Sequence, residues 1–248
     1  YVLEALCGIG PAALDALPLM VESLGHGDPD VRIGAARAIG SMGPDAAGAV
    51  GALITAVDDT YLDHNVFAIE ALGKMGPDAE KAIPRLTEIA RMNGWPRERL
   101  GALRSLEAIG IPEKKLVELL IEALDDSHPS VVSHALETLA DMGPAAKKAL
   151  PAITALAGQI DHDMPVHEEI LDALASLGPD AAQAAPLVLH ELDGPGHSKD
   201  VDRTLVCMGP AAISHVVDVM IEQDWSNAVR FDAVLSAILA GQTCTPDP

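Results

Sequence analysis

Apolar residues recur along the chain with the period of a helix that buries one face. In the clearest copy, which ends at Gly43, the apolar positions are 31, 35, 38, 39 and 42. This spacing predicts an amphipathic helix. Gly43 ends the helix, because glycine readily adopts a positive φ there. Pro44 then begins a second helix, whose first amides have no helical partner. Each Gly-Pro pair therefore predicts a helical hairpin.

These Gly-Pro pairs divide the chain into nearly equal periods. The glycines are Gly10, Gly43, Gly76, Gly143, Gly178 and Gly209, with Gly110-Ile111-Pro112 in the remaining slot and Gly241 at the end. Successive spacings are 33, 33, 34, 33, 35, 31 and 32 residues. A second proline recurs inside the second helix, at Pro18, Pro84, Pro151 and Pro186. We expect it to bend that helix, because an interior proline removes one backbone hydrogen bond. The period predicts a solenoid of about 7.5 hairpin repeats.

The repeat resembles the HEAT-repeat family, in its short, phycobilisome-lyase-like subclass. That pattern starts Asp-Pro-x-Val-Arg and ends Ala-Leu-Gly-x-Met-Gly-Pro, which residues 28–32 and 71–77 match. The resemblance implies an all-α, right-handed α-α superhelix, a HEAT/armadillo-like solenoid with the helix before each Gly-Pro on its concave side. We expect a single solenoid over residues 1–241, on its own or within a longer array, followed by a tail at 242–248.

Composition narrows the classes of partner. The 248 residues are 49% hydrophobic but only 2% aromatic, so the core consists of Ala, Leu, Ile, Val and Met. A formal net charge of −21 repels phosphate backbones, which argues against nucleic acid. Three cysteines without CxxC spacing argue against a disulfide framework and a structural zinc. The sequence shows neither a signal peptide nor an apolar run of membrane length, so we expect no membrane partner and a cytoplasmic location by default, although Tyr1 leaves an upstream segment open.

One column of charges follows the solvent side of the first helices. Stacked by repeat register, it reads Glu4, Arg37, Glu70, Arg104, Glu137, Asp172 and Arg203. The signs alternate through the first five members. Two interpretations are open: a ladder of ion pairs between repeats, or a charged groove that selects a partner.

Acidic residues also crowd the turn after each second helix. The candidates for an acidic edge are Asp58, Asp59, Asp63, Asp125 and Asp126. Such an edge would recruit a protein with a basic surface by electrostatic steering. The alternative is that aspartates cap helix starts and solvate turns.

The sequence contains little that supports a catalytic function. The strongest metal-like cluster is Asp161, His162, Asp163 and His167. Carboxylate and imidazole ligands suit zinc, manganese or iron, so a weak metal site is an alternative to ordinary turn residues. The sequence contains no phosphate-binding, dinucleotide or serine-hydrolase motif. We assign no catalytic residue and no cofactor.

The sequence therefore predicts a non-catalytic protein–protein interaction scaffold. It would hold its partner with the concave first-helix face and the acidic edge. One alternative is a lyase or isomerase, or an accessory factor, acting on a bilin-bearing protein, for which the scarcity of aromatic residues is unfavourable. The other is a HEAT protein that binds a divalent metal weakly. The partner's identity and the oligomeric state are left open.

Overall fold

A computed structural model describes residues 2–58, 65–91, 94–159, 166–190, 199–222 and 228–241. Every regular element in these ranges is helical, and none is a strand. The first eight α-helices are α1 Val2–Ile9, α2 Leu17–Ser23, α3 Pro29–Met42, α4 Val50–Val57, α5 Asn65–Lys74, α6 Ile83–Arg91, α7 Pro96–Ile109 and α8 Glu113–Ala123. The others are α9 Pro129–Met142, α10 Leu150–Ala157, α11 His167–Leu177, α12 Ala185–His190, α13 Lys199–Met208, α14 Ile213–Glu222 and α15 Ala228–Leu239. The all-α prediction is confirmed.

The glycine at each repeat junction has the positive φ that the sequence predicts. Before a proline the values lie between 55° and 63°, and Gly43 has a ψ of −136°. Gly110 instead adopts the ordinary left-handed conformation, with φ 81° and ψ 49°. The difference in ψ follows from the next residue, because a proline disfavours helical ψ values in the residue before it. Gly110 precedes Ile111 and escapes that restriction.

In the hairpins that have a Gly-Pro junction, the second half differs from the prediction of one bent helix. A 3₁₀ helix comes first, as at Gly43–Ala49, where Ala46 departs from helical geometry with φ −92° and ψ 19°. An α-helix then starts immediately afterwards. The recurring prolines are the second residues of α2, α6, α10 and α12. They occupy the first helical turn, where a missing amide costs nothing. The expected interior bend was wrong, because proline here begins a helix.

Two compact units make up the structure, Tyr1–Leu119 and Leu120–Pro248, and their boundary lies within α8. In the first unit, α1, α3, α5 and α7 pack side by side in chain order, while α2, α4 and α6 each pack on the following odd-numbered helix. Fully buried side chains such as Met20, Ile39, Leu72 and Leu106 fill the space between the two rows. Burial of these side chains supplies most of the stability of such stacked repeats.

The second unit repeats this arrangement with its own helices. Here α9, α11, α13 and α15 pack in chain order, and α10, α12 and α14 pack on α11, α13 and α15. Leu136, Leu174, Leu205 and Val216 are fully buried in its core. Each unit is thus a row of stacked hairpins. A single array over residues 1–241 stays a prediction, and residues 242–248 lie outside the described ranges.

Small residues set the distance between neighbouring odd-numbered helices. A Cβ placed on Gly40 would lie 3.0 Å from the Cα of Ala71. One placed on Gly73 would lie 2.7 Å from Ser105 Oγ and 3.0 Å from Ser105 Cα. A distance of 3.0 Å is tighter than nine in ten real Cβ contacts, so glycine at these positions allows α3, α5 and α7 to pack this closely.

Two segments in the described residues are long and apolar enough to cross a membrane by length and composition alone. They are Val2–Ser23 and Lys199–Glu222, whereas the sequence analysis expected no such stretch. Neither is a single straight helix, because Gly10 and Gly209 have φ values of 62° and 63° and turn the chain. The absence of a membrane partner stays a prediction.

Candidate functional site

The odd-numbered helices are tied to one another by buried hydroxyl groups. Ser105 Oγ on α7 donates to the backbone oxygen of Ile69 on α5, at 2.9 Å. At the same register position in the second unit, Thr204 Oγ1 on α13 lies 3.2 Å from the backbone oxygen of Leu171 on α11. Both hydroxyls are almost completely buried. They hold the α5/α7 and α11/α13 pairs in the same register, so the charges beside them can be compared directly.

In the α11/α13 pair, two members of the charge column form an ion pair. Arg203 Nη2 donates to Asp172 Oδ1, and Asp200, one turn earlier on α13, lies 3.8 Å from the same nitrogen. The Arg203 side chain is 25% exposed and that of Asp172 is 50% exposed. Two carboxylates thus hold the guanidinium, as the ion-pair interpretation of the column predicts.

Arg37 is engaged in a different way. Its Cζ lies 5.9 Å from the ring centroid of Phe67. Phe67 has, in the next repeat, the register position that Gly34 has in the repeat of Arg37. This distance is within the range of a cation–π contact. The α3/α5 pair therefore uses an aromatic ring to hold Arg37 where the α11/α13 pair uses two carboxylates.

In the α5/α7 pair, the corresponding charges form no ion pair within the described residues. Glu70 and Arg104 are exposed, and within the described residues neither has a hydrogen bond or ion pair. Gly101, one turn before Arg104, contributes no side chain that could hold it. The two helices instead border a groove of about 570 Å³. Its rim also carries Lys74 and Arg97, both exposed and likewise without an ion pair in the described part of the chain.

A similar groove of about 560 Å³ lies between α1 and α3. Glu4 and Arg37 line it at the positions that Glu70 and Arg104 occupy in the α5/α7 groove. Asp30 stands where the other groove has Arg97. By their described lining residues, the α1/α3 groove is therefore slightly acidic and the α5/α7 groove is basic, although their volumes are similar.

The site residues predicted from the sequence did not include Arg97, Lys74 and Phe67. A signal for Arg97 was present in the register that gave the charge column. Stacking the position of Asp30 in the same way gives Asp30, Asp63 and Arg97, a reversal of sign at α7. The openness of the groove had no such signal, because it depends on how each side chain is held.

The acidic edge is partly occupied by structural contacts. Asp58 Oδ1 lies 2.7 Å from Arg85 Nη2. The hydrogen bond from Arg85 to Glu88, together with the charge of Asp58, raises the pKa of Arg85. Asp126 Oδ1 accepts the amide hydrogen of His128 at 2.8 Å and so orders the turn before α9.

The structure describes one of the other three edge candidates. Asp125 is exposed, while Asp59 and Asp63 lie outside the described residues. Asp58 and Asp126 thus make structural contacts, and the turn contact of Asp126 fits the alternative interpretation. Recruitment of a partner by the edge stays a prediction.

The structure describes only one of the four metal candidates. Asp161, His162 and Asp163 lie outside the described residues, and His167 is half-buried at the first position of α11. No group of three possible metal ligands occurs among the described residues. Cys207, on α13, is disulfide-bonded, which the cysteine spacing had not indicated.

These observations define an all-α solenoid of helical hairpins with charged grooves at α1/α3 and α5/α7. A sequence profile described as HEAT repeats matches residues 17–107 and 95–175. The chain belongs to the HEAT-repeat family. HEAT repeats generally serve as protein-interaction scaffolds and are typically non-enzymatic.

A solved structure has the same fold. It is titled "Crystal Structure of Engineered Protein. Northeast Structural Genomics Consortium Target OR329" and is 19% identical to this chain, with a TM-score of 0.57. The match covers 80% of this chain and 96% of that one. No curated protein sequence matches the chain.

Proposed function

We propose that the chain is a non-catalytic binding module that holds a protein partner on the solvent side of its odd-numbered helices, called here the odd-helix face. Its contact residues would come from the charge column: Arg37, Glu70, Arg104, Glu137, Asp172 and Arg203. The acidic edge, Asp58, Asp59, Asp63, Asp125 and Asp126, would steer a basic region of the same partner toward this face.

The observation that carries the proposal is the state of Glu70 and Arg104. Opposite charges at one register position normally neutralise each other, as Asp172 and Arg203 do. Glu70 and Arg104 instead remain exposed beside a groove of about 570 Å³. Exposed charges that no neighbour within the described residues satisfies are available to a partner.

The wide and shallow form of the surface favours a protein over a small substrate. The α1/α3 and α5/α7 grooves lie two repeats apart in the first unit, so an extended ligand can contact several repeats. A compact metabolite would need a deeper site that buries most of its surface.

A capture experiment with matched double variants tests the proposal. Glu70→Ala/Arg104→Ala removes one acid and one base from the odd-helix face. Glu80→Ala/Lys81→Ala removes the same two charges from the exposed 3₁₀ helix Gly76–Ala82. Net charge is therefore the same in both variants. Each protein is immobilised, and proteins captured from the source lysate are measured by quantitative mass spectrometry.

We expect one protein to be captured stoichiometrically by the wild type and by the second variant, and to be lost with the first. Capture that is equal for all three proteins would show that the odd-helix face is not the binding surface. Raising the salt from about 50 to 500 mM should weaken capture if the acidic edge steers the partner.

A further inference from the structure

We propose that the α5/α7 groove binds an extended acidic segment of a protein partner. The proposal deepens the proposed function, since it names the chemistry of the segment at one part of the odd-helix face. It also differs from the expectation for the acidic edge, which would face a basic region. One partner would then present opposite charges to two parts of this chain.

Charge complementarity is the first argument. Among the described residues that line the groove, Lys74, Arg97 and Arg104 are cationic and Glu70 is the one carboxylate. This described lining carries a net of two positive charges in a chain whose net charge is −21. Cations concentrated in this way, with no ion pairs among the described residues, attract a ligand with carboxylates.

The spacing of the two arginines suits an extended peptide. Arg97 and Arg104 are seven residues apart on α7, which places their Cα atoms about 10 Å apart along the helix axis. An extended chain advances about 3.3 Å per residue. Carboxylates two to four residues apart in the ligand therefore come within reach of both guanidinium groups, each of which can bind a carboxylate with two hydrogen bonds.

Apolar contacts are available beside the cations. Val66, Phe67 and Leu100 line the groove. Trp95 directly precedes α7, two residues before Arg97, and is 58% exposed. Exposed tryptophan and arginine are the side chains that most often carry binding energy at protein interfaces. A segment with an apolar residue among its acids would use both kinds of contact.

A nucleic acid fits the groove less well. Its phosphates carry continuous negative charge, and Glu70 at the level of Arg104 would repel them. The rest of this acidic chain would also repel a long polyanion. A peptide can place a neutral or donor side chain opposite Glu70 and its carboxylates opposite the three cations.

The test measures binding of a defined probe by fluorescence anisotropy. The probe is a labelled peptide of about 12 residues, long enough to span the groove, in which glutamate alternates with serine around a central phenylalanine. Comparison ligands are the same peptide with lysine for glutamate, single-stranded DNA of similar length, and inorganic phosphate as competitor. The groove variant is Arg97→Ala/Arg104→Ala. The control Lys81→Ala/Lys114→Ala removes the same charge from exposed positions that do not line the groove.

We expect the acidic peptide to bind the wild type and the control equally, and the groove variant at least about tenfold more weakly. Arg97→Glu/Arg104→Glu should reverse the preference to the lysine peptide. Circular dichroism of each variant verifies the fold. Equal affinity of groove variant and control, tighter binding of the DNA than of the peptide, or displacement by millimolar phosphate would each overturn the proposal. If a captured partner depends on Glu70 and Arg104 while no acidic peptide binds, the proposed function stands and this inference fails.

Discussion

The α5/α7 and α11/α13 pairs are built alike and differ in what they do with their charges. Each has a buried hydroxyl that joins the second helix to a carbonyl of the first, Ser105 in one and Thr204 in the other. In α11/α13 the neighbouring Arg203 lies against Asp172. In α5/α7 the equivalent Arg104 borders an open groove.

The two pairs share one fold but differ in the residues beside the arginine. The position one turn before the arginine is Asp200 in α13 and Gly101 in α7. Asp200 supplies a second carboxylate to Arg203, whereas Gly101 supplies no side chain. Helix packing sets where the arginine stands, and the side chains around it determine whether it is held, as by Asp172 and Asp200, or exposed, as Arg104 is.

The largest effect is expected where α5 meets α7. Gly73→Ala would place a Cβ 3.0 Å from the Cα of Ser105, while α11 has Ala175 at this register position. The helices must separate, which we expect to lower the free energy of unfolding by about 1–3 kcal/mol. Gly51→Ala is the control, since its Cβ would meet nothing within 4 Å. Chemical denaturation checks both, and an equal effect of the two substitutions would contradict the close approach.

A smaller effect is expected from the hydroxyl groups. Ser105→Ala removes a buried hydrogen bond and should cost about 1 kcal/mol. Thr204→Val should cost less, because Thr204 Oγ1 also lies 2.7 Å from the backbone oxygen of Asp200 and its single proton is shared. Denaturation curves of the two variants give the order. A larger loss of stability for Thr204→Val than for Ser105→Ala would contradict the argument that the Thr204 proton is shared.

The smallest expected effect concerns pH and the α11/α13 pair. Burial raises the pKa of Asp202, the neighbour of Arg203. The folded state then binds more protons than the unfolded state between the ordinary and the raised pKa, so stability falls as pH rises through this window. Asp202→Asn should remove that part of the pH dependence and slightly raise stability at neutral pH. Thermal unfolding followed from acid to neutral pH measures it, and an unchanged slope would refute the assignment.

Much of the fold was predictable because glycine and proline act locally. The positive φ at all eight junction glycines follows from helix termination alone. The prolines misled the prediction, because the sequence does not show that a 3₁₀ helix intervenes and makes Pro84 the second residue of a new α-helix.

The candidate site was predictable only as a column of positions. Register placed Glu70 with Arg104 and Asp172 with Arg203, and both pairs have opposite charges. Whether such a pair of charges forms an ion pair depends on the neighbouring side chains in three dimensions. Phe67 is an example, since it engages Arg37 from the next repeat.

A double-mutant cycle on each pair tests the central claim most directly. The free energy of unfolding is measured for the wild type, the two single alanine variants and the double variant, for Asp172 with Arg203 and for Glu70 with Arg104. We predict a coupling energy of about 0.2–1 kcal/mol for the first pair and none within error for the second. Equal coupling energies in both pairs would mean that Glu70 and Arg104 already form an ion pair. That result would contradict the proposal that the α5/α7 groove is a binding site.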